Sequence, residues 1–237
     1  LKIGRFFDID VFLHWSFVLG PLYFLYDWKV RRGFEWTTVA ALMGVFAFVF
    51  LCILLHEYGH ALTARLFGVQ TKDIILTPIG GVARLQGMPK RPFEELMITI
   101  AGPAVNLAIA VIAAIIILVT GGNWMFAAGE VSLGAVAPVA MWLNLVLFAF
   151  NLIPAFPMDG GRILRSGLSF FISHRKATMI AGIVGQICAA VFVVYGLQNG
   201  DISLALIGGF IFMTARYEMK MAGSRTSQRK AWGDPVE

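Results

Sequence analysis

Charge is the scarcest property of this sequence. Only 14% of its 237 residues are Asp, Glu, Lys or Arg, while 58% are hydrophobic, and its mean hydropathy is +0.77. Soluble domains carry about 25% charged residues, so an ordinary water-exposed globular domain is excluded. The deficit is concentrated in long uncharged runs, as in a polytopic membrane protein. Cysteine is nearly absent. Cys52 and Cys188 lie singly in apolar segments, which excludes a paired-cysteine metal cluster and leaves the redox compartment undetermined. There is no internal repeat and no low-complexity segment. No small-residue cleavage site follows the apolar stretch after Asp10, so that stretch reads as a span and not as a cleavable leader. The first residue is Leu1, which reads as numbering from inside a longer chain. The net charge of +5 comes from Lys and Arg placed between apolar runs. That placement points to topology signals and anionic lipid contact, and away from nucleic acid.

What is present is a series of apolar runs. A helix needs about 20 apolar residues to cross the bilayer core. The candidates are Val11–Tyr26, Trp36–Leu55, Leu96–Thr120, Val131–Met158 (interrupted late by Pro154 and Pro157), Ala177–Gln198 and the short Ile202–Ala215. The expected fold is therefore an all-α polytopic membrane protein of about six transmembrane helices. Residues 1–219 read as the membrane domain, and 220–237 as a polar C-terminal tail leading towards a further domain. Lys and Arg bias sets the orientation. Arg162, Arg165, Arg175 and Lys176 follow the fourth run, and Lys220, Arg225, Arg229 and Lys230 lie in the tail. Lys72, Arg84, Lys90 and Arg91 follow the second run, whereas the third-to-fourth and fifth-to-sixth loops hold only Glu130 and Asp201. Six spans with both termini cytoplasmic satisfy all of these, against the objection of Lys29, Arg31 and Arg32. A multi-pass protein of the cell membrane is expected.

Asp73 to Leu85 is too short and too broken to span as a helix. Its short aliphatic runs flank Pro78 and Gly80-Gly81, and it reads as a membrane-associated β-hairpin. Irregular backbone at membrane depth is tolerated only where protein buries it or a wet cavity meets it.

The strongest chemical signal is His56-Glu57-Tyr58-Gly59-His60. Helix positions four apart share a face, so both imidazoles can grip one metal ion. Glu57 then sits where it can activate the metal's water. Ionisable residues at the end of a long apolar run are costly in lipid, which makes them functional candidates. A catalytic zinc wants a third protein ligand and an open position. Asp73, Glu94 and Glu95 are loop residues, and Asp201 falls on the opposite side. Asp159 stands out, because the second and fourth runs travel the same way and reach their motifs near the same end. A helix cap is its bland alternative.

With these motifs in view the chain resembles the site-2 protease family of intramembrane metalloproteases. The resemblance rests on His56 to His60, Pro78-Ile-Gly-Gly-Val-Ala83, Ala101-Gly-Pro-Ala-Val-Asn106, Asn151-Leu-Ile-Pro-Ala-Phe-Pro-Met-Asp-Gly-Gly-Arg162 and the opening Leu13-His-Trp-Ser16. It implies one zinc ion, a third ligand at Asp159, and cleavage of transmembrane segments. It also implies that Asn151 contacts the substrate backbone or the developing oxyanion. Asn106, after Gly102-Pro103, reads as structural or substrate-positioning. With Gly80, Gly81 and Val82 it completes the candidate substrate contacts, the glycines letting another backbone come close for edge pairing.

The expected function is a zinc-dependent endopeptidase acting on single-span membrane proteins, with a regulatory protein or a second copy left open as partner. A metal-ion transporter would bury His and Asp but needs no Glu57 between ligands and no hairpin. A zinc-stabilised inactive scaffold stays open at this point. His14 reads as an interfacial histidine, His174 as a solvated loop residue, and Cys52 as packing.

Overall fold

The computed structural model describes residues 1–78, 80–87, 89, 91–125 and 136–231, with 224–231 given by main chain alone. The chain falls into two compact units. The first takes Leu1–Met88 and Ala101–Phe148, and the second takes Pro89–Ile100 and Ala149–Glu237.

The first unit joins a small sheet to apolar helices. Strands β1 (Lys2–Phe6) and β2 (Ile9–Leu13) form an antiparallel hairpin. Its tip holds Phe7 and Asp8 at positive φ, 51° and 63°, the geometry that matches the natural twist of a two-residue hairpin. Strand β3 (Thr71–Thr77) pairs parallel to β2, and β4 (Gly80–Leu85) pairs antiparallel to β3, giving the order β1-β2-β3-β4. Asp73 on β3 is buried and takes two hydrogen bonds from the Arg84 guanidinium on β4. That contact pushes the Arg84 pKa above its ordinary value. The expected hairpin is therefore half of a four-stranded mixed sheet.

Between the two hairpins run α1 (Leu19–Leu25) and α2 (Trp36–Leu66). At 31 residues and about 1.5 Å per residue, α2 is longer than the hydrocarbon core is thick. It extends past the predicted end at Leu55, so the whole His56–His60 motif is helical. Its face at Leu54, Tyr58, Ala61 and Leu62 packs on Ile9, Val11 and Ile74 of the sheet. The Tyr58 hydroxyl donates to the Phe6 carbonyl at 3.2 Å, and Arg65 donates to the Phe7 carbonyl. Helix α3 (Pro92–Thr120) begins in the second unit and belongs to the first from Ala101 on. There Ala113 and Ile117 pack with Phe48 of α2 and with Ala140 and Met141 of α4 (Val136–Asn151).

The second unit holds α5 (Asp159–Leu168), α6 (His174–Gln198) and α7 (Ile202–Ala231). Helices α6 and α7 run antiparallel on small residues. A Cβ at Gly196 would meet Ala205 at 2.7 Å, one at Gly208 would meet the Ala189 carbonyl at 2.8 Å, and one at Gly182 would meet Met219 at 2.4 Å. Close backbone approach of this kind is how helices associate where lipid removes the hydrophobic drive. Arg165 is buried and pairs with Glu95, with Glu218 of α7 at 3.6 Å. Helix α7 continues through the polar segment after Lys220 to Ala231.

Four helical segments are long and apolar enough to cross a membrane: Trp36–Leu66, Pro92–Thr120, His174–Gln198 and Ile202–Gly223, with mean hydropathies of 2.7, 2.6, 2.2 and 1.2. The chain is an integral membrane protein. The first predicted run is not one helix. Val11–Leu13 lies in β2, and the rest divides into a 3-10 turn (Trp15–Val18), α1 and a π-helical stretch (Tyr26–Arg31). The fourth run is helical over Val136–Asn151 and breaks at 152–158, where Pro154 and Pro157 remove donors. Its first residues, Val131–Ala135, and Glu130 before them lie outside the described residues, as does Ile79 of the hairpin turn.

Candidate metal centre

Helix periodicity puts His56 and His60 one turn apart on α2, and their side chains converge. The two Nε2 atoms stand 3.1 Å apart, with the ring planes at 85°. Zinc–imidazole bonds of about 2.0–2.1 Å at a tetrahedral angle place neighbouring nitrogens about 3.3 Å apart, so the donor pair suits a shared zinc ion. The space in front of them is kept by a glycine. A Cβ on Gly102 of α3 would fall 2.2 Å from His60 Nε2 and 2.8 Å from His56 Nε2. Gly59, inside the motif, lets α3 come this near, since a Cβ there would fall 2.6 Å from the Ala101 carbonyl oxygen. Two glycines, one on each helix, therefore define the depth of the centre.

Glu57 points to the sheet. Its Oε2 accepts a 3.0 Å hydrogen bond from the main-chain N–H of Ala83 on β4. A Cβ on Gly81 would come within 2.6 Å of Glu57 Cγ, so the glycine lets the strand lie against the carboxylate. Antiparallel pairing with β3 places Ala83 opposite Ile74, Val82 opposite Ile75 and Gly81 opposite Leu76. Strand β4 ends the sheet, and Glu57 faces its outer edge. Of the candidate substrate residues Gly80, Gly81 and Val82 on this strand, Gly81 is the one that lies against the candidate base.

Behind His56 lies a polar chain within the first unit. His56 Nδ1 stands 2.6 Å from Asn106 Oδ1. Asn106 donates through Nδ2 to Asn144 Oδ1 at 2.8 Å, and Asn144 donates to the Ala140 carbonyl at 2.9 Å and to Cys52 Sγ at 3.3 Å. Both asparagines are fully buried. Asn106 was expected to be structural or to position substrate. Both ends of its amide are engaged, one by His56 and the other by Asn144. Asn144 carries no signal in the sequence beyond being a polar residue inside an apolar run, and sequence reasoning missed it. Cys52 is packed as expected, and it also accepts a hydrogen bond. His14 bonds Ser16 at 2.7 Å beside Trp15, and His174 opens α6, half exposed.

In the second unit Asn151 closes α4 and Asp159 opens α5. Met158 is the cap and Asp159 the first helical residue, where the helix dipole favours a carboxylate. Asp159 is buried. Gly160 and Gly161 hold the start of α5 tight on the preceding loop. A Cβ at Gly160 would meet the Leu152 and Ile153 carbonyl oxygens at 2.3 Å, and one at Gly161 would meet the Ala155 carbonyl carbon at 2.7 Å. The Phe156–Pro157 peptide in that loop is cis.

Comparison with known proteins agrees with this chemistry. The sequence profile of Peptidase family M50 matches residues 44–132 and 125–195. The chain is similar to the zinc metalloprotease MJ0392 of Methanocaldococcus jannaschii, 33% identical over 231 residues, covering 95% of this chain and 62% of that protein. It is also similar to the putative zinc metalloprotease Rip3 of Mycobacterium tuberculosis, 34% identical over 241 residues, covering 92% of this chain and 58% of that one. It thus spans about three-fifths of the length of these relatives. Among solved structures, the site-2 protease from Methanocaldococcus jannaschii matches with a TM-score of 0.66 and 33% identity, over 92% of this chain and 94% of that one. Taken with the His-Glu-Tyr-Gly-His turn on α2, these matches show that the chain belongs to peptidase family M50, the site-2 proteases.

Proposed function

We propose that residues 1–219 form the catalytic domain of an intramembrane zinc endopeptidase that hydrolyses peptide bonds within or near transmembrane segments of single-span membrane proteins. The observation that carries this reading is the convergence of two imidazoles kept open by Gly102, with Glu57 held beside them at a strand edge. His56 and His60 would hold one zinc ion, with Asp159 as the third ligand. The Asp159 assignment is supported by its burial at the first turn of α5 and by its family motif. When bound, zinc supplies a Lewis acid that polarises the scissile carbonyl and lowers the pKa of water towards about 7.

The chain's own residues do the rest. Glu57 takes the proton of the attacking water and returns it to the leaving amine. Asn151 donates its amide N–H to the oxygen on which charge develops. A peptide bond in a transmembrane helix is shielded by its own hydrogen bonds, so the substrate must unwind locally. Its freed backbone groups then need partners. The outer edge of β4 at Gly81 offers them, next to the Ala83 N–H that Glu57 already holds, as strand addition to an exposed sheet edge. Six membrane passages with both termini cytoplasmic, in the cell membrane, fit the Lys and Arg bias apart from Lys29, Arg31 and Arg32. A transporter or inert scaffold has no use for Glu57 at the strand edge. Purified protein with and without chelator, against a panel of single-span helical peptides, tests the reading. Chelator-sensitive cleavage is expected, and no cleavage of any peptide by zinc-loaded protein would sink it.

A further inference from the structure

The polar chain behind His56 ends on a group that cannot donate. The Ala140 carbonyl, one turn before Asn144 on α4, only accepts. Asn144 must therefore present Nδ2 to it, 2.9 Å away, which leaves Oδ1 facing Asn106. That oxygen accepts, so Asn106 must present its own Nδ2 at 2.8 Å and turn Oδ1 to His56 Nδ1 at 2.6 Å. An amide oxygen cannot donate, so the proton of neutral His56 sits on Nδ1. The imidazole lone pair then lies on Nε2, the atom facing His60 Nε2 at 3.1 Å. A flipped Asn106 amide would reverse this, setting N–H groups against Nδ1 and driving the ring proton to Nε2, where it blocks a metal ion.

We propose that Asn144 is a positioning residue that fixes the tautomer of His56 through Asn106, relaying the polarity of a backbone carbonyl on α4 to the metal centre on α2. This rests on His56 being a metal ligand. Asn144 itself touches neither metal nor substrate. Partners of a ligating histidine typically change metal affinity by about 10–100-fold when lost, and here the partner's own orientation is what Asn144 supplies. Asn106 and Asn144 are 0% exposed, so no solvent water stands ready to replace either contact.

The test uses the full chain, purified in detergent, with zinc affinity read by competition with a chromophoric chelator. Asn144→Leu removes every polar atom while keeping the branching of the side chain and should weaken zinc binding about 10–100-fold. Asn144→Asp, protonated in this apolar setting, can donate to the Ala140 carbonyl and accept from Asn106, so it should bind zinc like wild type. The decisive step is epistasis. Asn106→Asp, kept ionised by the His56 N–H it faces in the carboxylate–histidine–zinc arrangement, presents an acceptor to His56 whichever way it turns, so adding Asn144→Leu to it should cost no further affinity. An equal loss in both backgrounds would show plain packing and overturn the proposal, as would wild-type affinity in Asn144→Leu or a Leu-sized loss in folded Asn144→Asp. Nitrogen-15 NMR of metal-free, histidine-labelled protein reads the tautomer directly. His56 should carry its proton on Nδ1 in wild type and as a mixture in Asn144→Leu, and an unchanged tautomer would likewise overturn the idea. His56→Ala separates the two readings. If it leaves zinc affinity intact, the metal assignment fails; if it abolishes binding while Asn144→Leu does nothing, only the present inference fails.

Discussion

The carboxylate of Glu57 accepts its hydrogen bond from the main-chain N–H of Ala83, across 3.0 Å and 26 residues of sequence. The candidate proton acceptor is thereby tied to the strand edge proposed to receive substrate. A substrate strand added to β4 would arrive beside the group that is to act on it.

Glu57→Gln tests the base. It preserves size and hydrogen-bonding capacity but cannot take a proton near neutral pH. General acid–base groups contribute about a hundredfold to ten-thousandfold in rate, and Glu57 is asked to act in both steps. The mutant should bind zinc normally, stay folded and lose cleavage to near background. Cleavage of a transmembrane peptide at close to the wild-type rate would refute the mechanism even with the metal site intact.

Gly81→Ala tests the juxtaposition. Gly81 is not among the residues at positive φ, so alanine fits the backbone there, but its methyl would meet Glu57 Cγ at 2.6 Å. Glu57 is the flexible partner and should move. Zinc content and thermal stability should hold while kcat falls at least tenfold, about 1.4 kcal/mol. Wild-type kcat in a folded mutant would count against a working contact between β4 and Glu57.

Gly102→Ala and Gly59→Ala form a contrasting pair. At Gly102 the obstacle is the far end of the His60 ring, 2.2 Å from the added Cβ; at Gly59 it is the Ala101 backbone carbonyl, 2.6 Å away. The ring can swing aside, so Gly102→Ala should fold, keep the stability of the metal-free protein and lose zinc affinity. Backbone cannot swing, so Gly59→Ala should unfold at lower temperature with or without zinc. Thermal melts at matched zinc and chelator concentrations read both, and wild-type zinc affinity in Gly102→Ala would relocate the ion.

Asp159→Asn tests the third ligand. A neutral amide is a poor substitute for an anionic oxygen on zinc, so zinc per chain should fall sharply by elemental analysis. Wild-type stoichiometry would move the third ligand elsewhere.

Single cysteines at Ser169 and at Gly122, in a background lacking Cys52 and Cys188, test the orientation. Labelling with an impermeant reagent should come from opposite faces of the membrane, with Ser169 labelled from the cytoplasm. Labelling from the same face would break the topology that the Lys and Arg bias implies.

Whatever depends on local periodicity was determined by the sequence. Long uncharged runs gave the helices that became α2, α3, α6 and α7, and four-residue spacing put His56 and His60 on one face, because helix geometry is set within a few residues. The β3–β4 hairpin was legible for the same reason, through Pro78 and Gly80-Gly81. The N-terminal strands were not. An apolar run such as Val11–Leu13 serves a helix or a buried strand equally well, and only its pairing with Ile74–Leu76 decided the matter. Nor could the sequence say what the buried amides do. The contact of His56 with Asn106 closes over 50 residues, and that of Asn144 with Cys52 over 92. Which atom of an amide faces which neighbour depends on helices packed together from distant parts of the chain, and it is that packing, with Gly102 carrying no side chain against the two imidazoles, that leaves a histidine pair on a helix the room a metal ion would need.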